Sequence, residues 1–168
     1  MKLTSIQDVY AGHLADLRSA ETQLVDALSE MADASSDKKL KQAFTNHLEQ
    51  TARQLERIEE VVGTSPADVP EETCEAMKGL IREVRAVIEA DGRGDVKDVA
   101  LIAAAQRIEH YEIAVYGTAR ALADQLDLRI ARDLLSETLD EESQADELLT
   151  KLATGGLIVA GLNERAHG

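Results

Sequence analysis

Tryptophan is absent from this chain of 168 residues, and aromatic residues of every kind make up only 2% of it. Leu, Ala, Ile and Val must therefore supply the packing, in a chain long enough to bury a core without covalent staples. Proline occurs only twice, at Pro66 and Pro70, so long uninterrupted helices are permitted almost everywhere. The single cysteine, Cys74, excludes an internal disulfide and a thiolate zinc cluster. No apolar run approaches the ~18 residues that a membrane-spanning helix needs. The N-terminus also lacks the basic-then-apolar run of a signal peptide, so a cytoplasmic location is expected. Basic residues are few as well. Lys and Arg total 18 against 32 Asp and Glu, a net charge of −14, which disfavours nucleic acid and anionic membranes as partners. The acid excess by itself fits solubility or a salt-adapted source, and Arg outnumbers Lys.

What is present is helix-period patterning, and it predicts an all-α fold. Five helices are expected, at about 5–33, 37–62, 71–90, 96–124 and 127–154. Thr4 or Ser5 is placed to cap the first, and Gly63 to close the second. Turn-forming residues separate them: Gly63 to Pro70 with both prolines, then Asp91-Gly92-Arg93-Gly94-Asp95. The connections after the first and fourth helices are short, so each makes an antiparallel hairpin. The segment 63–95 must then join the two hairpins. That is a ferritin-like four-helix bundle, one domain over 1–168, whose long crossover carries an extra short helix. An apolar tail from Leu157 to Leu162 follows Gly155-Gly156.

Carboxylates interrupt three of the apolar stripes. The first helix reads Leu14, Leu17, Glu21, Leu24, Leu28. The fourth reads Ile102, Ala105, Glu109, Glu112, Tyr116, Ala119, and the fifth Leu135, Leu139, Glu142, Asp146, Leu149. The second helix carries Leu40, Phe44, His47, Thr51, Gln54, Ile58 and Val61 at the same spacing. Counting turns from each connection at ~1.5 Å per residue puts Glu21 level with His47 to Thr51, and Glu109 and Glu112 level with Glu142. An unpartnered buried carboxylate costs several kcal/mol, so acids gathered at one level call for cations among them. Oxygen ligands with an imidazole suit iron or manganese. The expected ligands are Glu21, His47, Glu109, Glu112, Glu142 and Asp146, around two metal ions, Fe or Mn. On the second helix His47, Glu49, Gln50 and Gln54 all remain open as the ligand. The competing expectation is a metal-free structural or interaction bundle whose core acids pair with Arg18, Arg53, Arg107 or Arg120.

Several segments resemble one family. Ser19-Ala20-Glu21-Thr22-Gln23-Leu24, His47-Leu48-Glu49-Gln50-Thr51, Arg107-Ile108-Glu109-His110-Tyr111-Glu112-Ile113-Ala114, Cys74-Glu75-Ala76-Met77-Lys78-Gly79-Leu80 and Leu139-Asp140-Glu141-Glu142 are similar to the YciE/YciF-like ferritin-like stress proteins. The resemblance runs through nearly the whole chain in order. It implies a rubrerythrin-like bundle, dimeric, with a dinuclear metal site and a link to stress. A first-helix Glu and a later Glu-x-x-Glu pair are matched by Glu21 and by Glu109 with Glu112, and the last-helix carboxylate by Glu142. The usual Glu-x-x-His on the second and last helices is missing: Gln50 leads to Arg53, and Glu142 leads to Ala145. The implied activity is on peroxide or oxygen, or oxidation of ferrous iron. A homodimer is expected, built on the apolar tail and on Met77, Leu80, Ile81, Val84 and Ile88 of the crossover helix.

Overall fold

A computed structural model describes residues 3–155 and 160–167. Its helices are α1 (Ile6–Ala34), α2 (Lys38–Gly63), α3 (Glu75–Glu89), α4 (Gly94–Gln125), α5 (Arg129–Thr154) and α6 (Leu162–His167). Ser5 starts α1 through a capping box: its hydroxyl accepts from the Asp8 N–H at 3.2 Å, and the Asp8 carboxylate accepts from the Ser5 N–H at 3.0 Å. Asp37 starts α2 by accepting from the N–H groups of Lys39 and Leu40. The short turn between them is tied to α4, because the buried Asp98 carboxylate accepts from Ser36 N–H at 2.9 Å and Asp37 N–H at 2.7 Å.

α1 packs along α2 and α4 along α5, and the two hairpins meet through α1 against α4 and α2 against α5. The crossover carries α3, which lies on α1 and α4. The expected bundle is therefore the observed one, and among the described residues there is no strand beyond a single bridge between Gly155 and Ala160.

Three boundaries differ from expectation. α3 begins at Glu75, not near Glu71. The Cys74 N–H is held by Ser19 Oγ at 2.9 Å and its carbonyl by Gln23 Nε2 at 3.2 Å, so the chain stays extended along α1 until Cys74 caps the helix. α4 takes in Gly94 and Asp95, which the sequence assigned to a loop. α5 starts at Arg129, two positions late, because Asp127 adopts a left-handed φ of 58° and turns the chain. α6 was not expected at all. Its Leu162 is buried in the core, and Arg165 pairs with Asp37 at 2.9 Å. Leu157, Ile158 and Val159 of the proposed self-association tail lie outside the described residues. The crossover helix offers less to a second copy than expected. Met77, Ile81 and Val84 are buried, and Leu80 and Ile88 are packed against the same cluster.

The apolar core is divided in two. One cluster contains Leu24, Leu28, Phe44, Ile108 and Leu149, with α3 against it. The other contains Tyr10, Leu17, Ile58, Tyr116 and Leu135. On each of the four long helices, the positions between those clusters are polar and buried.

Candidate metal centre

Glu21 comes from α1, His47, Thr51 and Gln54 from α2, Glu109 and Glu112 from α4, and Thr138 and Glu142 from α5. All are buried, and Glu21, Glu112 and Glu142 show no exposure whatever. Helical spacing explains the arrangement: Glu109 and Glu112 lie one turn apart on one face, and each remaining acid replaces one apolar residue of its stripe. Ligand atoms of His47, Glu109, Glu112 and Glu142 all fall within 4.8 Å of one another. His47 Nε2 lies 3.4 Å from Glu109 Oε1 and 3.6 Å from Glu142 Oε2. Glu21 stands beside this group, accepting a short hydrogen bond from the Tyr116 hydroxyl through Oε1.

Buried polar atoms in folded proteins are almost always hydrogen-bonded. Here both oxygens of Glu112 have no partner, nor do Oε2 of Glu21, Glu109 and Glu142, Nε2 of His47, Oε1 of Gln54 and Oγ1 of Thr51. Among the described residues, no Arg or Lys reaches an ion pair with any of the four buried glutamates. Arg18 instead donates to the Pro70 carbonyl at 2.8 Å and Arg107 pairs with Glu83. The arginine pairing entertained from the sequence is not formed there.

The electrostatics follow from that crowding. Burial raises the Glu21 carboxyl to about 7, partly offset by the Tyr116 hydrogen bond and the nearby His47. Burial, then the neighbouring glutamates, lifts Glu112 well above the ordinary carboxylate range. Glu142 is also pushed well above it, by burial first, against the pull of His47. Burial works to lower His47, but the Glu109 and Glu142 carboxylates outweigh it and raise the imidazole to about 10. Without a cation in their midst, these groups keep protons that the same side chains lose in water.

Asp146 is not brought into the group. The buried positions of α5 are Ala131, Leu135, Thr138, Glu142, Leu149 and Ala153, and Asp146 is only partly buried, at the stripe edge. There it accepts from Gln106 Nε2 at 3.0 Å and lies 3.4 Å from His110 Nε2. On α2 the open choice narrows: His47 joins the cluster, Glu49 is exposed, and Gln50 sits 3.5 Å from His47 Nδ1. Gln54 donates through Nε2 to both Glu142 and Glu141. Of the tyrosines near the site, Tyr116 touches Glu21, whereas Tyr111 contacts Cys74 Sγ at 2.9 Å.

Sequence reasoning missed Arg57. Its guanidinium donates to Thr138 Oγ1 at 2.6 Å and to Glu141 Oε2 at 2.9 Å, and pairs with Glu137 at 2.7 Å. Arg57, Glu141, Gln54 and Glu142 thus form one hydrogen-bonded chain from the half-exposed surface to the centre. The i, i+4 pair Glu137 and Glu141 was the available signal, because such a pair on one face invites a cation from the facing helix.

Residues 5–163 match a protein family described as a domain of unknown function, DUF892. Protein YciF of Escherichia coli strain K12 is 51% identical over 154 residues, spanning 91% of this chain and 93% of that protein. The crystal structure of the E. coli stress protein YciF superimposes with a TM-score of 0.87 at 50% identity, over 89% of this chain and 95% of that one. YcfI from Rhodopseudomonas palustris, described as a candidate structural protein, gives a TM-score of 0.86 at 34% identity, over 90% of this chain and 97% of that one. The chain belongs to the DUF892 family.

Proposed function

We propose, from family membership and the geometry of the buried layer, that this protein holds a dinuclear iron or manganese centre serving a stress response. Its action is on peroxide or oxygen, or on ferrous iron as a substrate to be oxidised. The observation that carries this reading is the set of partnerless atoms on His47, Glu109, Glu112 and Glu142, gathered within 4.8 Å with Glu21 beside them and, among the described residues, no Arg or Lys paired to them. Oxygen donors with one imidazole match the preference of iron and manganese. A bound pair of such ions supplies redox capacity and a positive centre that polarises an oxygen substrate.

The chain's own residues prepare the site. Tyr116 donates to Oε1 of Glu21 and leaves Oε2 free. Gln54 does the same for Glu142, engaging Oε1 and leaving Oε2 free. Arg57 fixes Glu141, which in turn fixes the Gln54 amide. The two apolar clusters bound the layer above and below. Among the described residues no Lys or Arg pairs with these glutamates, so their oxygens remain available to a metal.

The second reading, a metal-free structural protein, is favoured by the description of the R. palustris relative. Metal content separates the two. After anaerobic loading with Fe(II) or Mn(II) and desalting, about two ions per chain are expected in the wild type, and a loss in Glu109→Ala that keeps its helical circular dichroism. A folded wild type that retains no metal above background would sink the metalloprotein reading.

A further inference from the structure

A cleft of about 280 Å³ opens between α2 and α5 and ends on the buried layer. His47 and Glu109 form its floor; both are buried, and His47 Nε2 and Glu109 Oε2 have no hydrogen-bond partner. The cleft exists because Ala43 and Ala145 stand where larger side chains would close the seam between these helices. Phe44 and Leu149 supply an apolar wall, and Asn46, Gln144 and Leu148 stand exposed at the mouth.

Size and charge restrict what fits. A single water occupies about 30 Å³ of liquid, so the space exceeds what a route for water alone requires. It falls just under the ~300–1,000 Å³ typical of drug-sized ligand pockets, which suits a ligand smaller than a nucleotide. The lining contains two carboxylates, Glu109 and Glu141, against one imidazole, His47, and no Lys or Arg, so its charge does not favour an anion. The apolar wall favours a hydrocarbon body, while the free Glu109 oxygen at the floor accepts from an O–H donor.

We propose that this cleft binds a small neutral organic hydroperoxide and the alcohol derived from it, with the apolar body against Phe44 and Leu149 and the O–H end at His47 and Glu109. The inference deepens the reading above and rests on it for the choice of a peroxide. Backbone amide NMR of the chelator-treated protein tests it with cumene hydroperoxide, 2-phenyl-2-propanol and benzoate as probes. The hydroperoxide and the alcohol should shift the same amides, within 43–50 and 141–149, and do so saturably. Benzoate should bind at least about tenfold more weakly, and Ala145→Phe should weaken the alcohol by about tenfold or more. Ala145→Leu, a milder filling, should fall between and guards against misfolding of the larger variant. The proposal is overturned if neither neutral probe saturates, if only one does, if benzoate matches them, or if both filling variants bind like the wild type. Metal loading is read separately, so its failure strikes the dinuclear reading while the amide shifts still decide the cleft.

Discussion

Replacing Glu112 with glutamine should stabilise the metal-free protein at pH 8, and that advantage should shrink or reverse once metal is supplied. Glu112 shows no exposure, neither of its carboxylate oxygens has a partner, and burial with three neighbouring glutamates lifts its pKa well above the ordinary value. The native chain therefore keeps a proton at Glu112 that the unfolded chain gives up near 4.5. Where the native state binds more protons, stability falls as pH rises, at most by about 1.4 kcal/mol per pH unit for one group. The expected size is that of a buried carboxyl left without a hydrogen-bond partner, about 1–3 kcal/mol. Glu21 and His47, both raised in the folded state, act in the same direction. Glutamine keeps the shape, removes the titration, and gives the layer an N–H donor toward the remaining carboxylates. Urea melts of chelated protein at pH 5 and pH 8 read the effect: the wild type should lose stability between the two, and Glu112→Gln should lose less. With Mn(II) at a hundredfold excess over its dissociation constant, the wild type gains about 2.7 kcal/mol and the variant gains little. A variant that is less stable than wild type in chelator at pH 8, or that gains as much from metal, refutes the argument.

Tyr116→Phe removes the one donor to Glu21 Oε1 and leaves a second partnerless oxygen, at a cost of about 1–3 kcal/mol. Because that bond lowers the Glu21 pKa, the variant should also show a steeper loss of stability between pH 5 and 8 in chelator; an unchanged slope would contradict it. Asp127→Gly relieves the left-handed backbone at the α4–α5 turn, where a residue with no Cβ carries no steric penalty. Relief of about 1–2 kcal/mol against about 0.5–1 kcal/mol lost to the added freedom of the unfolded chain leaves a gain of about 0.5–1 kcal/mol, or roughly 1–4 °C in Tm, by calorimetry, and a lower Tm would show that the turn depends on the aspartate.

Most of the architecture was legible because helix period and turn chemistry are local. The α2 stripe of Leu40, Phe44, His47, Thr51, Gln54, Ile58 and Val61 is buried at every position, since seven residues spaced by threes and fours admit only one face. The level match of the acids was legible for the same reason, through counting from short turns. What escaped depended on contacts between distant segments. The start of α3 is set by Ser19 and Gln23 of α1, 55 and 51 residues away, and nothing within 71–74 signals it. Asp146 shares spacing with Glu142 and Leu149, but at the edge of the stripe its partners are Gln106 and His110 of α4, and spacing alone does not separate an edge position from a central one. Arg57 went unseen because its value lies in bonds to Thr138 and Glu141 across the bundle.

Charge balance gives a further quantity by which the dinuclear reading stands or falls. Four buried carboxylates, Glu21, Glu109, Glu112 and Glu142, share the layer with one imidazole. Two divalent ions carry four positive charges, which neutralise four carboxylates with His47 uncharged. One ion leaves two negative charges, and the layer would then keep protons to offset them. Ligands must shed their protons to bind metal. In the folded chain His47 is raised to about 10 and Glu21 to about 7, and burial pushes Glu112 and Glu142 toward their protonated forms. Filling the site with two ions should therefore release protons, at least the one on His47 and more from the raised glutamates. Calorimetric titration with Mn(II) in buffers of different ionisation enthalpy counts them. Adventitious binding to surface aspartates and glutamates, already ionised at pH 7, releases close to none. A stoichiometry near two with negligible proton release would place the metal outside the buried layer and overturn its assignment to these glutamates.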